Sequence, residues 1–143
     1  MRGALAQAAP QAIARQIELS LDAPDTLPAR LDQPAFESIA HNLIDNALRY
    51  TPDGGNVAVT LRRGSAALQL SVQDDGPGIP ATEHHRVFER FYRGAGHAAN
   101  GSGLGLAIVR QAVLRMGGQV QIGVGLNGKG VGFFVSIPLP HSA

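Results

Sequence analysis

The chain has 143 residues, the length of one ordinary domain, and its 44% hydrophobic content is enough for one core. A formal net charge of +1 argues against a general affinity for nucleic acid or an anionic membrane. There is no cysteine, which excludes disulfides, thiolate metal sites and a cysteine nucleophile. No apolar run approaches the roughly 20 residues that span a bilayer, and a reducing cytosolic setting fits this composition.

The first third of the chain predicts a strand and a long helix behind a lead-in. We expect residues 1–15 to be a helical or disordered lead-in or linker remnant from an upstream domain, and residues 16–143 to form the domain itself. Residues 16–21 alternate apolar and polar side chains, as in a half-buried strand. In residues 34–50 apolar side chains recur at helical spacing, so this segment predicts an amphipathic helix.

The rest of the chain predicts two hairpins and a second helix around an irregular segment. Strands at 57–61 and 68–72 form the first hairpin, and strands at 119–124 and 132–137 form the second. A helix is predicted at 104–116. Residues 76–102 are irregular, are too long for an idle connection and suggest a mobile lid, with a short helix around 82–88. These blocks predict an α+β two-layer sandwich with a mixed, mostly antiparallel sheet packed on helices.

Three polar residues share one face of the first predicted helix. Asn42, Asn46 and Arg49 stand at i, i+4 and i+7, beside the apolar stripe. An amide oxygen is a hard ligand that suits Mg²⁺, and Arg49 can make a charge-assisted contact with a phosphate. An ordinary helix with solvated Asn and Arg side chains has the same spacing, so this motif alone leaves both interpretations open.

A carboxylate follows the first hairpin. Asp74 stands at the predicted strand end, and Gly76 and Gly78 after it would let a flat ring approach the backbone. Asp74 can accept a hydrogen bond from the exocyclic amine of adenine. Guanine has a carbonyl there, and two facing acceptors leave both unpaired, which favours ATP over GTP. A plain Asp-Gly turn is the alternative.

The predicted lid interleaves aromatic and basic side chains. Its aromatics could dock on the domain while an arginine reaches a phosphate, or they could anchor a short amphipathic helix. The pattern does not determine which arginine would contact a nucleotide. The residues concerned are Arg86, Phe88, Arg90, Phe91, Tyr92 and Arg93.

A glycine loop leads into the second predicted helix. The N–H groups around Gly101, Gly103 and Gly105, together with the helix N-terminus, make an anion site. Leu106 stands where a dinucleotide fingerprint has its third glycine, and no Walker-type lysine follows. A helix start that needs a tight turn is the alternative.

In this order the four motifs resemble the N, G1, F and G2 boxes of the catalytic, ATP-binding domain of bacterial sensor histidine kinases. That family belongs to the superfamily shared with gyrase, Hsp90 and MutL. The resemblance covers about residues 16–140 and implies the GHKL (Bergerat) sandwich. It also implies Mg²⁺ and ATP as cofactors, and transfer of the γ-phosphoryl group to a histidine on a separate dimerisation domain.

The resemblance also assigns residues to roles. Asn42, Asn46 and Arg49 are the expected catalytic residues, with Asn46 as the Mg²⁺ ligand and Asp74 as the residue that reads adenine. The expected ATP-binding set is Asn42, Asn46, Arg49, Tyr50, Asp74, Gly76, Gly78, Ile79, Arg90, Gly101, Ser102, Gly103, Leu104 and Gly105.

The resemblance implies a setting as well. Such a domain works in a two-component system, with a response regulator as an indirect partner and no nucleic acid. We expect the isolated domain to be monomeric and cytoplasmic, and its parent could be an inner-membrane sensor.

Two departures bear on activity. The ATPase relatives carry a water-activating glutamate where this chain has Asn42, which cannot usefully take up a proton. The phosphoaccepting histidine motif is absent, so the chain lacks its own kinase substrate. A nucleotide- or partner-binding module without transfer activity, an ATPase of the same fold and an anti-sigma-factor-type serine kinase are the alternatives.

Overall fold

A computed structural model describes residues 2–24, 31–78, 82, 84, 87, 88 and 105–139. Three helices and five strands make up this part of the chain, with a short 3₁₀ turn at Leu126–Gly128 before the last strand. In chain order they are α1 (Arg2–Ala14), β1 (Glu18–Asp22), α2 (Gln33–Tyr50), β2 (Asn56–Arg63), β3 (Ala67–Asp74), α3 (Gly105–Arg115), β4 (Gln119–Val124) and β5 (Val131–Pro138). Most of the predicted lid, including three of the seven residues of the short helix around 82–88, lies outside the described residues.

The five strands form one mixed sheet in the order β1-β2-β3-β5-β4. Both predicted hairpins are confirmed, because β2–β3 and β4–β5 pair antiparallel, and β5 also pairs antiparallel with β3. The exception is β1, which pairs parallel with β2. Helix α2 is the crossover connection that a parallel pair requires, so this part of the chain is a βαβ unit that the sequence pattern did not predict.

Helix α2 is the centre of the helical layer. Asp32 caps its start by accepting a hydrogen bond from the N–H of Ala35, and Pro34 lies in the first turn, where its missing N–H costs nothing. The predicted apolar stripe is buried throughout: Phe36, Ile39, Ala40, Leu43, Ile44 and Ala47. Leu48, which the pattern did not include, is buried beside it. The stripe packs on the inner face of the sheet, which confirms the α+β two-layer sandwich.

Helices α1 and α3 both pack on α2. Ala8 and Ala12 of α1 are buried in the same core as the stripe of α2. The separation of residues 1–15, as a lead-in, from the domain at residues 16–143 stays a prediction. In the structure, α1 packs against the rest of the described chain. In the part of the chain that the structure describes, no helix is both long and apolar enough to cross a membrane.

The inner face of β3 ends in a carboxylate. Leu68, Leu70 and Val72 occupy alternate positions of the strand and are buried on this face. Asp74 takes the next position on the same face and is also buried. The register places Asp74 opposite Val57 of β2. A core position of the sheet is therefore occupied by a titratable group, and the site is built around it.

Candidate functional site

Asp74 is held by backbone groups from two segments. It is 2% exposed, and its Oδ1 accepts hydrogen bonds from the N–H of Gly76 at 2.9 Å and of Val131 at 3.3 Å. Both bonds end on Oδ1, which leaves Oδ2 without a donor among the described residues. Burial raises the pKa of Asp74, the two backbone bonds oppose that shift, and the charge of Asp75 adds to it. The site thus offers a fixed, poorly solvated acceptor.

Close backbone approach around Asp74 requires glycine. At Gly130, whose φ is +70°, a Cβ would lie 2.4 Å from the Oδ1 of Asp74. At Gly125 a Cβ would lie 2.2 Å from the carbonyl oxygen of Asp74, and at Gly76 it would lie 2.7 Å from that of Tyr50. Such distances are far inside van der Waals contact, so a side chain at any of these positions would displace the aspartate or its surroundings.

Gly78 takes part in the same arrangement. Its φ is +81°, and a Cβ there would lie 3.0 Å from the carbonyl oxygen of Gly130. Gly76 and Gly78 are predicted site residues, whereas sequence reasoning missed Gly125 and Gly130. The available signal was the density of glycine between residues 123 and 132, which was interpreted only as a hairpin.

Asp75 differs from its neighbour in every respect that matters for binding. Its two carboxylate oxygens accept hydrogen bonds from the backbone N–H and the side-chain amide of Asn56, at 2.8 and 2.9 Å. Those bonds hold the pKa of Asp75 below its ordinary value, with the side-chain bond as the largest cause. Asp75 therefore fastens the loop to the start of β2, and Asp74 is the carboxylate available to a ligand.

The polar face of α2 forms a second part of the site. Asn42 and Asn46 are half-buried on it, as their spacing predicts. The amide nitrogen of Asn42 donates to the carbonyl oxygen of Ser38 at 2.8 Å. Arg49 is exposed and forms an ion pair with Asp45 one turn earlier, with 2.8 Å between nitrogen and oxygen. A phosphate would therefore have to share Arg49 with Asp45.

Helix α2 connects two motifs that are far apart in sequence. The Oδ1 of Asn42 lies 3.2 Å from where a Cβ of Gly105, the first residue of α3, would stand. At the C-terminal end of α2, the Tyr50 carbonyl lies against Gly76. Asn42, in the middle of the helix, and Tyr50 are eight residues apart, or about 12 Å along the helix axis. The candidate site thus extends along the second half of α2, from the N-terminus of α3 to the surroundings of Asp74.

One aromatic residue of the predicted lid docks on the domain. Phe88 packs edge-on against Phe133 of β5, with 6.1 Å between ring centroids and 81° between ring planes. Other predicted site residues lie outside the described residues: Ile79, Arg90, Gly101, Ser102, Gly103 and Leu104.

The donors on α2 fit a magnesium ion that arrives with a phosphate ligand. Amide oxygens of Asn42 and Asn46 are hard donors, and Mg²⁺ is commonly bound by one or two protein oxygens together with substrate phosphates. In the part of the chain that the structure describes, no group of three or more His, Asp or Glu side chains could hold a metal alone. The donor set therefore suits an ion shared with a nucleotide.

The fold is that of an ATPase-type domain, and the comparison with known families agrees. Residues 31–141 match the family described as histidine kinase-, DNA gyrase B-, and HSP90-like ATPase. The chain belongs to that family. Its homologues are sensor histidine kinases.

Individual relatives show how much of the chain the likeness covers. The chain is 38% identical to the swarming motility regulation sensor protein RssA of Serratia marcescens over 94% of its own length and 29% of that protein. It matches the mycobacterial sensor histidine kinase MprB with a TM-score of 0.80 and 33% identity, covering 96% of this chain and 95% of that one. The chain spans under a third of the length of the curated relatives it matches.

A further similar structure was solved with a nucleotide analogue bound. Full-length ShkA in complex with AMPPNP matches with a TM-score of 0.82 and 32% identity, over 99% of this chain and 30% of that one. The GHKL sandwich predicted from the four motifs is thereby confirmed as the fold.

Proposed function

We propose that this domain binds Mg-ATP and presents the γ-phosphoryl group to a histidine on a separate dimerisation domain. The observation that carries the proposal is Asp74, a buried carboxylate with one oxygen fixed by two backbone N–H groups and the other given no donor by the residues that the structure describes. An exocyclic amine is its natural partner, and adenine presents one where guanine presents a carbonyl. The AMPPNP complex of ShkA supports ATP as the ligand.

The phosphates are assigned to the middle of α2, around Asn42 and Asn46. The N-terminus of α3 lies against Asn42, and a helix N-terminus favours negative charge. Asn46 would coordinate Mg²⁺, with Asn42 and Arg49 beside the phosphates. The ion would supply neutralisation of the phosphate charge; the side chains of α2 position the ion and the nucleotide.

Transfer is favoured over hydrolysis by the residue at position 42. An amide cannot act as a base toward water, and the nitrogen of Asn42 is already bonded to Ser38. In this proposal the domain holds ATP without rapid hydrolysis until an imidazole arrives in line with the γ-phosphorus. An ATPase of the same fold would require a proton acceptor at this place.

The setting is proposed from the relatives. RssA and PmrB are described as sensor proteins, and MprB as a signal transduction histidine kinase and phosphatase. We place this domain on the cytoplasmic side, as part of a two-component kinase that signals to a response regulator. ThkA, which shares the fold, has been solved with its response regulator TrrA.

Phosphoryl transfer can be tested with two separate polypeptides. The chain and a histidine-bearing dimerisation domain from one of its relatives are mixed with ATP labelled at the γ-phosphorus. Label should appear on the histidine domain and resist base but not acid, as a phosphoramidate does, and a variant without that histidine should stay unlabelled. Tight ATP binding without transfer, when the same partner accepts phosphate from its own catalytic domain, would instead favour the binding-module alternative.

A further inference from the structure

Arg15 joins helix α1 to the end of α2. It follows the last residue of α1, and its guanidinium donates from Nη1 to the carbonyl oxygen of Leu48 and from Nη2 to that of Thr51. Its Nε donates to Asp53 at 2.9 Å, and its own carbonyl accepts from the N–H of Gly54 at 3.1 Å. The residue that directly follows α1 is therefore bonded to four points between residues 48 and 54.

These bonds complete the C-terminus of α2. The last carbonyls of a helix have no partner within the helix, and positive charge is favoured there. Thr51 satisfies the carbonyl of Ala47 with its own N–H at 3.0 Å and its hydroxyl at 2.7 Å. The carbonyl of Leu48 receives its donor from Arg15 instead, so α2 is capped partly by the residue that follows α1.

The capped segment is a wall of the candidate site. Between the two carbonyls bound by Arg15 lie Arg49 and Tyr50, both predicted to contact nucleotide. The carbonyl of Tyr50 and the Cα of Thr51 lie 2.7 and 3.5 Å from where a Cβ of Gly76 would stand. Gly76 donates one of the two hydrogen bonds that fix Asp74. A short path therefore runs from Arg15 through the end of α2 to the buried carboxylate.

We propose that Arg15 is a positioning residue for nucleotide binding. It does not touch the ligand; it fixes the last turn of α2, and through the contact between Tyr50 and Gly76 it sets the position of the base site. Helix α1 is thereby coupled to nucleotide affinity. This proposal rests on the proposed function, since it concerns the same nucleotide site.

The chain offers matched controls. Arg62 forms an ion pair with Asp22, with 2.8 Å between nitrogen and oxygen. This pair is exposed, like the pair between Arg15 and Asp53, but it joins β2 to β1 instead of contacting α2. Asp53→Ala removes the carboxylate partner of Arg15 and leaves both carbonyl bonds in place. Arg15→Lys keeps the charge but cannot reproduce a planar fork that reaches two carbonyls and a carboxylate at once.

The test measures ATP affinity by calorimetry, the melting temperature and the Gly76 amide resonance for the wild type and these variants. We expect Arg15→Ala to weaken ATP binding about tenfold and Arg15→Lys about threefold, losses of roughly 1.4 and 0.7 kcal/mol. Asp53→Ala and Arg62→Ala should stay within about twofold. The Gly76 amide should shift in both Arg15 variants without nucleotide and stay in place in Arg62→Ala.

Two outcomes would overturn the proposal. Arg15→Ala could lower the melting temperature and still bind ATP like the wild type, which would make Arg15 merely structural. If Arg15→Ala does not fold, Arg15→Lys with wild-type affinity and an unmoved Gly76 amide has the same meaning. If the wild type binds no ATP, the proposed function is refuted instead. The Gly76 amide resonance is measured without nucleotide, so it would still show whether Arg15 sets the position of Gly76.

Discussion

At the scale of single residues, the two adjacent aspartates divide binding and structure between them. Asp74→Asn keeps an Oδ1 for the N–H groups of Gly76 and Val131, but it turns the outer oxygen into a donor that faces the adenine amine. We expect ATP affinity to fall by about 1–3 kcal/mol, or roughly 5- to 150-fold, while the fold survives. Calorimetry and circular dichroism of the same samples measure both.

Asp75→Asn is the matched control for this change. Asp75 is bonded to Asn56 rather than offered to a ligand, so its substitution should leave ATP affinity within about threefold. If Asp74→Asn and Asp75→Asn reduced ATP affinity equally, the assignment of Asp74 as the residue that binds adenine would be contradicted.

The raised pKa of Asp74 predicts a pH dependence with a definite sign. Burial lifts the folded-state pKa above the ordinary 3.8. Between the two values the folded chain binds a proton that the unfolded chain lacks, so this stabilising contribution is present at low pH and is lost as pH rises through the raised pKa. The melting temperature of the wild type minus that of Asp74→Asn should therefore grow on acidification.

Acidification should have the opposite effect on the ligand, because a protonated Asp74 is a poor acceptor for an amine. As the pH is lowered, the ATP affinity of the wild type should begin to fall while the pH is still above 3.8. This fall should be larger than any fall in the affinity of Asp74→Asn. A difference in melting temperature that stays flat from about pH 4 to 8 would show that Asp74 is not perturbed by burial.

Local pattern was sufficient to predict that Asp74 stands at a strand end. The strand at 68–72 pointed to Asp74 at its end, and continuing the alternation by one step puts that carboxylate on the core face. Gly125 and Gly130 were missed because they meet Asp74 only through the pairing of β3 with β5. The sequence of one segment does not determine how it pairs with a strand that is distant along the chain.

At the scale of elements, the turn before β5 supplies a wall of the site. Gly128 and Gly130 both have positive φ, +75° and +70°, but a Cβ at Gly128 has nothing within 4 Å, whereas one at Gly130 meets Asp74. Gly128→Ala should cost about 1–2 kcal/mol of folding free energy from the backbone alone. It should leave ATP affinity unchanged.

Gly130→Ala should cost more stability than Gly128→Ala and should also weaken ATP binding, because it displaces the carboxylate. Urea unfolding and calorimetry on the two variants separate the effects. If both alanines reduced stability equally and neither changed affinity, the packing of β5 against Asp74 would have no part in binding.

Element boundaries followed from sequence to within a few residues, and one pairing did not. The helix predicted at 34–50 is observed at Gln33–Tyr50, because its stripe, proline and polar cap all agree. The strand predicted at 16–21 is observed at Glu18–Asp22, but its parallel pairing with β2 was not predicted. Alternation reports which face is buried and says nothing about the neighbouring strand.

At the scale of the whole molecule, a regular scaffold brings parts of three of the motifs together along α2. Asn42 and Asn46 lie on α2, Asp74 on β3 and Gly105 at the start of α3, so separate elements contribute to one site. The order of the motifs was enough to predict the family and the sandwich. Contacts made by Ile79, Arg90 and the loop at 101–104 stay predictions.

Calorimetric titration of the purified domain with ATP and GTP, with and without Mg²⁺, tests the central claim most directly. We predict saturable binding that selects ATP, strengthens with Mg²⁺ in the wild type and loses that Mg²⁺ dependence in Asn46→Ala, because Asn46 is the proposed ligand. Equal affinity for ATP and GTP, or no binding in a sample that is folded, would contradict the assignment of this site to Mg-ATP.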